Sequence, residues 1–221
     1  MRLICLVAAL LLSVHLSLLP DARAQELSPE EKEQGFVSLF DGKTHDGWTG
    51  AVAGYAIEDG KMVCRPGGNI YTEKEYADFT FRFEFLLPPG GNNGVGIRAP
   101  LQGNAAYAAM EIQILDDRHE KYSGWLKEYQ VHGSIYGVVP AKRDCLKPAG
   151  QWNSEEITCK GSQVTVTVNG MVIVDADLSE IDANKTIDGG RHPGLHNPKG
   201  HIGFLGHGDP VEFRNIRIKE L

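Results

Sequence analysis

Phe79, Phe81, Phe83 and Phe85 alternate with Thr80, Arg82 and Glu84. A period of two belongs to a β-strand, whose successive side chains point to opposite faces. A helix would scatter four such phenylalanines over two sides. The stretch therefore demands a strand with one aromatic face, and that face needs a second layer to cover it. Neighbouring segments read the same way. Asp59-Gly60 joins Ala56-Ile57-Glu58 to Lys61-Met62-Val63, and Asn169-Gly170 joins residues 163–168 to 171–174; both are two-residue signals for type I′ hairpins. Phe36-Val37-Ser38-Leu39-Phe40 reads as a first strand stopped by Asp41-Gly42. Pro88-Pro89-Gly90-Gly91-Asn92-Asn93-Gly94 turns the chain into Val95-Gly96-Ile97-Arg98, with Val95 and Ile97 toward the core and Arg98 on the opposite side. In the last strand the apolar phase runs Val211, Phe213, then Ile216, Ile218. That slip predicts a β-bulge near Arg214-Asn215. Helical patterns are confined to one turn after Ser28-Pro29 and one at residues 178–181. The expectation is an all-β sandwich or barrel of about ten to twelve short antiparallel strands.

A chain of 221 residues without repeat, linker or low-complexity segment suits one domain, placed at residues 35–221 behind a charged lead-in at 25–34. Residues 1–24 read as a signal peptide. Arg2 is followed by an apolar run over residues 3–19, and Ala22-Arg23-Ala24 gives a small-residue cleavage site. Export is expected, to the periplasm or beyond, with no membrane span in the mature chain. Cleavage removes Arg2, Arg23 and Asp21, so 22 basic and 29 acidic residues fall to 20 and 28, net −8. A negative chain with no basic stripe is a poor partner for nucleic acid or anionic membranes. Cys64, Cys145 and Cys159 remain, an odd number that allows at most one internal disulfide.

Glu111-Ile112-Gln113-Ile114-Leu115-Asp116 is read as the central strand. Ile112 and Ile114 point to the core, while Glu111, Gln113 and Leu115 share the other face. A half-exposed strand with a solvated polar side is the plain reading. The functional one sets Glu111 and Gln113, with Arg98 from the adjacent segment, into a groove. Sandwich glucanases of the laminarinase type carry Glu-x-Asp-x-Glu there, since retaining hydrolysis needs two carboxylates on one face. Leu115 stands where the second would be, so the groove either binds only or works with a single base. His192, His196, His201 and His207 fall within sixteen residues. His192 and His196 read as polar loop residues, and His207, between Gly206 and Gly208, reads as exposed. His132 and Trp125 lie in the long irregular segment over residues 116–148, Trp125 as a lid over a sugar ring. No metal-ligand spacing is present; a divalent cation held by Glu111, Asp116 or a histidine is a further reading.

These motifs together resemble the 3-keto-disaccharide hydrolase domain family of the concanavalin A-like superfamily. The resemblance rests, in order, on residues 36–43 with Gly47-Trp48, Asn93-Gly94-Val95-Gly96-Ile97-Arg98, residues 111–116, Ser134-Ile135-Tyr136-Gly137, Gly150-Gln151-Trp152-Asn153, Val168-Asn169-Gly170 and residues 206–216. It implies a jelly-roll β-sandwich of two antiparallel sheets, an exported protein, and activity on a small carbohydrate oxidised at C3. A C3 ketone acidifies the C2 proton, so one base can expel the C1 group by elimination and water can add back. On that reading Glu111 and His207 are the catalytic base and acid, in either assignment. Arg98, with or without a divalent cation, faces the enolate oxygen. Gln113 and Tyr136 orient hydroxyls, and Asp116, His132 and Trp125 complete the substrate contacts. The alternative is a non-catalytic carbohydrate-binding module of the same fold.

Overall fold

In the computed structural model, which describes residues 26–221, the four phenylalanines lie on one buried face of the strand Phe79–Leu86, each at most 2% exposed. In chain order the elements are α1 (Pro29–Glu33), β1 (Val37–Ser38), β2 (Trp48–Gly50), β3 (Tyr55–Glu58), β4 (Lys61–Cys64), β5 (Ile70–Tyr76), β6 (Phe79–Leu86), β7 (Asn92–Ala99), α2 (Ala105–Ala108), β8 (Met110–Leu115), β9 (Trp152–Lys160), β10 (Gln163–Val168), β11 (Met171–Asp177), β12 (Gly200–Phe204) and β13 (Glu212–Glu220). They form two antiparallel sheets. The larger runs β11-β10-β9-β6-β13-β4-β3, with β1 also on β13, and the smaller runs β2-β5-β12-β7-β8. This is the expected concanavalin A-like jelly-roll sandwich. The expected signal peptide lies outside the described residues.

The sheets are held together by interdigitated aromatics. Phe204 of β12 stacks on Phe213 of β13 with ring centroids 3.8 Å apart, and Phe83 meets both. Burying each such ring stabilises the fold by about 1.5–3 kcal/mol. Local signals place the corners. Asp59 and Gly60 have φ of 49° and 74°, and Asn169 and Gly170 of 50° and 82°, as type I′ turns require. The β13–β6 register slips between Arg214 and Arg217, with Asn215 at φ 54°, which is the expected bulge. At the lead-in, Ser28 caps α1 in a capping box with Glu31. Glu31 also pairs with Arg217, which ties the lead-in to β13.

Three expectations change. The first strand shrinks to Val37–Ser38, because Phe36 and Phe40 are buried as side chains while the ladder to β13 spans two residues. Residues 101–110 contain a helical turn, α2, whose first N–H groups are capped by Asn104. Most consequential, β8 is not central but the last strand of its sheet. Its free edge is covered by the following loop: Gly133 N–H donates to Gln113 O at 2.7 Å, Gln113 N–H to Ser134 O at 3.0 Å, and Tyr136 N–H to Glu111 O at 2.9 Å. All six residues of β8 are consequently buried, the polar face included. The three cysteines of the described residues are free thiols.

Candidate active site

Pairing between β7 and β8 builds the site. Gly94 lies opposite Gln113 and Gly96 opposite Glu111, while Val95 and Ile112, opposite each other, fill the core. Two glycines on the outer face leave room for what faces them. A Cβ on Gly94 would stand 2.2 Å from Glu111 Oε1, so the carboxylate occupies the space a side chain would have filled. Beside it, Tyr71, Ala99, Ala105, Ala109 and Leu205 form a small apolar floor separate from the main core.

His207 comes to this point from the loop after β12. Gly206 lets that loop press against the chain, since a Cβ there would lie 2.5 Å from Gly68 O. Asp209 fastens it by accepting from Asn92 N–H at 2.9 Å. His207 Nε2 then stands 3.9 Å from Glu111 Oε1. That is too far for a direct hydrogen bond, and a reacting group can lie within reach of both. Glu111 is largely buried and His207 half-exposed, so one partner is shielded and the other exchanges with solvent.

A cavity of about 320 Å³ opens here, lined by Glu111, Gln113, His207, Tyr107, Tyr136 and Trp125, with Asn92, Asn104, Ala106, Leu115, Tyr122, Leu126 and Gln130 completing the walls. Tyr136 Oη accepts from Gln130 Nε2 at 3.0 Å, which leaves its own proton to donate. Trp125 Nε1 donates to Lys121 O, and its ring lies 5.6 Å from Tyr122, whose hydroxyl donates to Gly90 O. Gln113 Oε1 and Asn92 Oδ1 are buried without a hydrogen-bond partner. A second hollow of about 340 Å³ lies on the outer face of the large sheet. Of its charged groups, Arg82 pairs with Glu156, Arg217 with Glu31 and Glu84 with Arg214.

Sequence reading missed Tyr107, Asn104, Asn92 and Gln130. Tyr107 is brought to the rim by α2, and its ring lies 4.8 Å from that of His192. His192 lies in a loop, as expected, but is buried, 1% exposed. Its Nδ1 lies 2.9 Å from Ala106 O and its Nε2 3.1 Å from Asp188 Oδ2, so both ring nitrogens face acceptors. The faint signal was Asn104-Ala105-Ala106, a cap followed by helix formers.

Three expected substrate contacts go elsewhere. Arg98 adopts φ 50°, and the β12–β7 register slips there, which swings its side chain away from Glu111. Its guanidinium donates to Ala77 O at 2.9 Å, Gly161 O at 2.9 Å, Asn197 O at 3.3 Å and Asp78 Oδ1 at 3.0 Å. It is a buried clamp between loops. Asp116 accepts from Gly90 N–H at 2.7 Å and fastens the turn before β7. His132 lies between the sheets, 2% exposed, accepting from Leu115 N–H at Nδ1 with Nε2 3.5 Å from Glu155 Oε2. Burial lowers the His132 pKa to about 3 and raises that of Glu155 well above the carboxylate range. Of the groups expected to hold a divalent cation, Asp116 is turned away from Glu111, while His207 Nε2 stays 3.9 Å from it. Among the described residues no group of three or more His, Cys, Asp or Glu could hold one.

A family model described as the 3-keto-alpha-glucoside-1,2-lyase-like domain matches residues 35–219. A relative from Bacteroides thetaiotaomicron named 3-keto-disaccharide hydrolase is 27% identical over 228 residues, spanning 85% of this chain and 79% of its own. Two crystal structures from Parabacteroides distasonis, each provisionally described as a glycosyl hydrolase, match with TM-scores of 0.77 and 0.74. They are 27% and 31% identical, cover 89% and 84% of this chain, and are themselves covered to 99%.

Proposed function

The chain belongs to the 3-keto-alpha-glucoside-1,2-lyase-like family, and on that ground we propose that it cleaves the glycosidic bond of 3-keto-glycosides by elimination and hydration. The observation that carries this reading is a cavity with one carboxylate, Glu111, and one histidine, His207, 3.9 Å apart. Leu115 stands two residues beyond Gln113 on the same face, so the second carboxylate of a retaining hydrolase is missing.

Glu111 takes the proton from C2, and the C–H electrons pass into the enolate of the C3 ketone. Tyr136 donates its hydroxyl proton as a hydrogen bond to that developing oxyanion, a role Arg98 cannot fill from its position. The enolate collapses to a C1=C2 double bond and expels the C1 oxygen, to which His207 supplies a proton. Water then adds its hydroxyl to C1 and a proton to C2, so the net reaction is hydrolysis. Gln113 orients a ring hydroxyl. Residues 1–24, with the features of a signal peptide, direct the protein out of the cytoplasm, to the periplasm or the medium.

The test is purified protein with a 3-keto-disaccharide and its unoxidised parent in heavy water. Cleavage of the keto sugar alone, with deuterium at C2 above an enzyme-free control, is expected. Glu111→Gln should abolish turnover with folding intact, and His207→Gln should lower it by about 10²- to 10⁴-fold. Full turnover by Glu111→Gln would remove Glu111 from the mechanism. Saturable binding of the unoxidised sugar without cleavage of either would make this a carbohydrate-binding module.

A further inference from the structure

Asn93 breaks the pattern of its own strand. It shares the inner face of β7 with Val95 and Ile97, stands opposite Ile114 and is fully buried. An amide among apolar side chains is tolerated only where its polar atoms find partners. Both do. Asn93 Oδ1 accepts from the Gly94 N–H at 2.9 Å, and Nδ2 donates to Tyr55 Oη at 3.3 Å. Gly94 is the residue beneath the Glu111 carboxylate, and its carbonyl accepts from the Leu205 N–H at 2.8 Å, two residues before His207. The peptide groups of Gly94 thus join the strand that backs Glu111 to the loop that carries His207.

Tyr55 of β3 and Cys64 of β4, each fully buried, carry the contacts on to that loop. A Cβ on Gly206 would lie 3.2 Å from Tyr55 Oη and 3.3 Å from Cys64 Sγ, so the loop rests directly on both groups. The Cys64 sulfur has the Tyr55 hydroxyl and the Gly208 N–H as hydrogen-bonding neighbours. The residues on either side of His207 are therefore seated on this cluster. The cluster is itself anchored: the Tyr55 ring lies 6.4 Å from that of Phe204, and the Cys64 N–H donates to Val211 O at 2.9 Å. None of Asn93, Tyr55 and Cys64 lines the cavity.

We propose that Asn93, Tyr55 and Cys64 are positioning residues, a buried polar cluster that sets the distance between Glu111 and His207. It grips Gly94, which backs the Glu111 carboxylate, and Gly206 and Gly208, which flank His207. Apolar side chains of the same size would fill the space, but burial is non-directional, whereas hydrogen bonds fix where the backbone lies. Two groups that move protons on one substrate need that register, since a displacement of about 1 Å can cost about 10²-fold in rate. The proposal rests on the reading above, that Glu111 and His207 act together on one substrate.

Two measurements test it. Tyr55→Phe keeps the ring on Phe204 and removes only the hydroxyl, and Asn93→Leu fills the same space without an amide. With a 3-keto-disaccharide, both should lower kcat about tenfold to 10²-fold, with KM changed less than about threefold. Val166→Ala, a truncation in the buried face of β10, is the comparison: it should lower the melting temperature and leave kcat unchanged. A kcat within about twofold of wild type in both variants overturns the proposal, as does an equal fall in Val166→Ala. The second measurement needs no turnover. Crystal structures of the two variants should show the His207 Nε2 to Glu111 Oε1 distance, 3.9 Å here, moved by about 1 Å or more. An unmoved distance overturns the proposal whatever the rates. If the wild type cleaves no keto sugar, the proposed reaction fails, while the variant structures still decide whether the cluster sets the spacing.

Discussion

Gly94 lies under the Glu111 carboxylate so closely that a single added methyl would stand 2.2 Å from Oε1 and 2.9 Å from Cδ. The glycine is not needed for its backbone, since Gly94 is absent from the left-handed positions. It is needed for the space. Gly94→Ala should therefore displace the carboxylate while leaving the strand paired. We expect kcat to fall on the order of 10²-fold, as for other misplacements of a catalytic group by about 1 Å. Overpacking should cost about 1–3 kcal/mol of stability. Steady-state rates and a melting curve on one preparation separate the two effects, and an undiminished kcat would show that the carboxylate need not sit there.

Asp188 and His192 act on the rim from behind it. The imidazole bridges Asp188 Oδ2 and Ala106 O, and Tyr107 rests on its ring. Gly137, next to Tyr136, packs so tightly on the pair that a Cβ would lie 2.6 Å from Asp188 Oδ2. Asp188→Asn replaces the carboxylate in this bridge and should loosen α2. The expected result is a KM raised about threefold to tenfold with kcat changed less than about twofold, since only substrate holding is affected. A fall in kcat with KM unchanged would place the pair in the chemistry instead.

The buried pair His132 and Glu155 makes stability depend on pH with opposing signs. His132 is held neutral, its pKa lowered to about 3 from an ordinary 6.5, so the unfolded chain binds the extra proton between those values. Its contribution rises with pH across that window and is complete above it. Glu155 is raised above its ordinary 4.5, so the folded chain keeps a proton that the unfolded chain loses. Its contribution falls as pH rises above that value. Between 4.5 and 6.5 the two slopes oppose each other, and the loss above 4.5 comes from Glu155 alone. Glu155→Gln should remove it. Urea midpoints should diverge in favour of the variant as pH rises above 4.5, by at most about 1.4 kcal/mol per pH unit. Parallel curves would show that Glu155 is ionised in the fold.

Much of the fold was legible because its determinants are local. The Phe79 to Phe85 alternation, the Asp59-Gly60 and Asn169-Gly170 turns and the phase slip at Arg214-Asn215 each depend on residues adjacent in the chain. So does the shared face of Glu111 and Gln113, which follows from the pleat alone. The ordered motifs over residues 36–216 added the family resemblance.

What the sequence by itself determined is thus the sandwich, its sharp corners and the two groups of the cavity, Glu111 and His207. The tertiary structure alone decided the fate of Arg98, Asp116, His132 and His192. Each is a polar side chain whose direction depends on partners far away in sequence: Asp78 and Gly161 for Arg98, Gly90 for Asp116, Glu155 for His132, Ala106 for His192. At Arg98 one residue at positive φ broke the alternation that would have aimed it at Glu111. Apolar periodicity reports which face is buried, since burial is non-directional. A hydrogen-bonding group is placed by the geometry of its partner, and that partner is known only once the chain has folded.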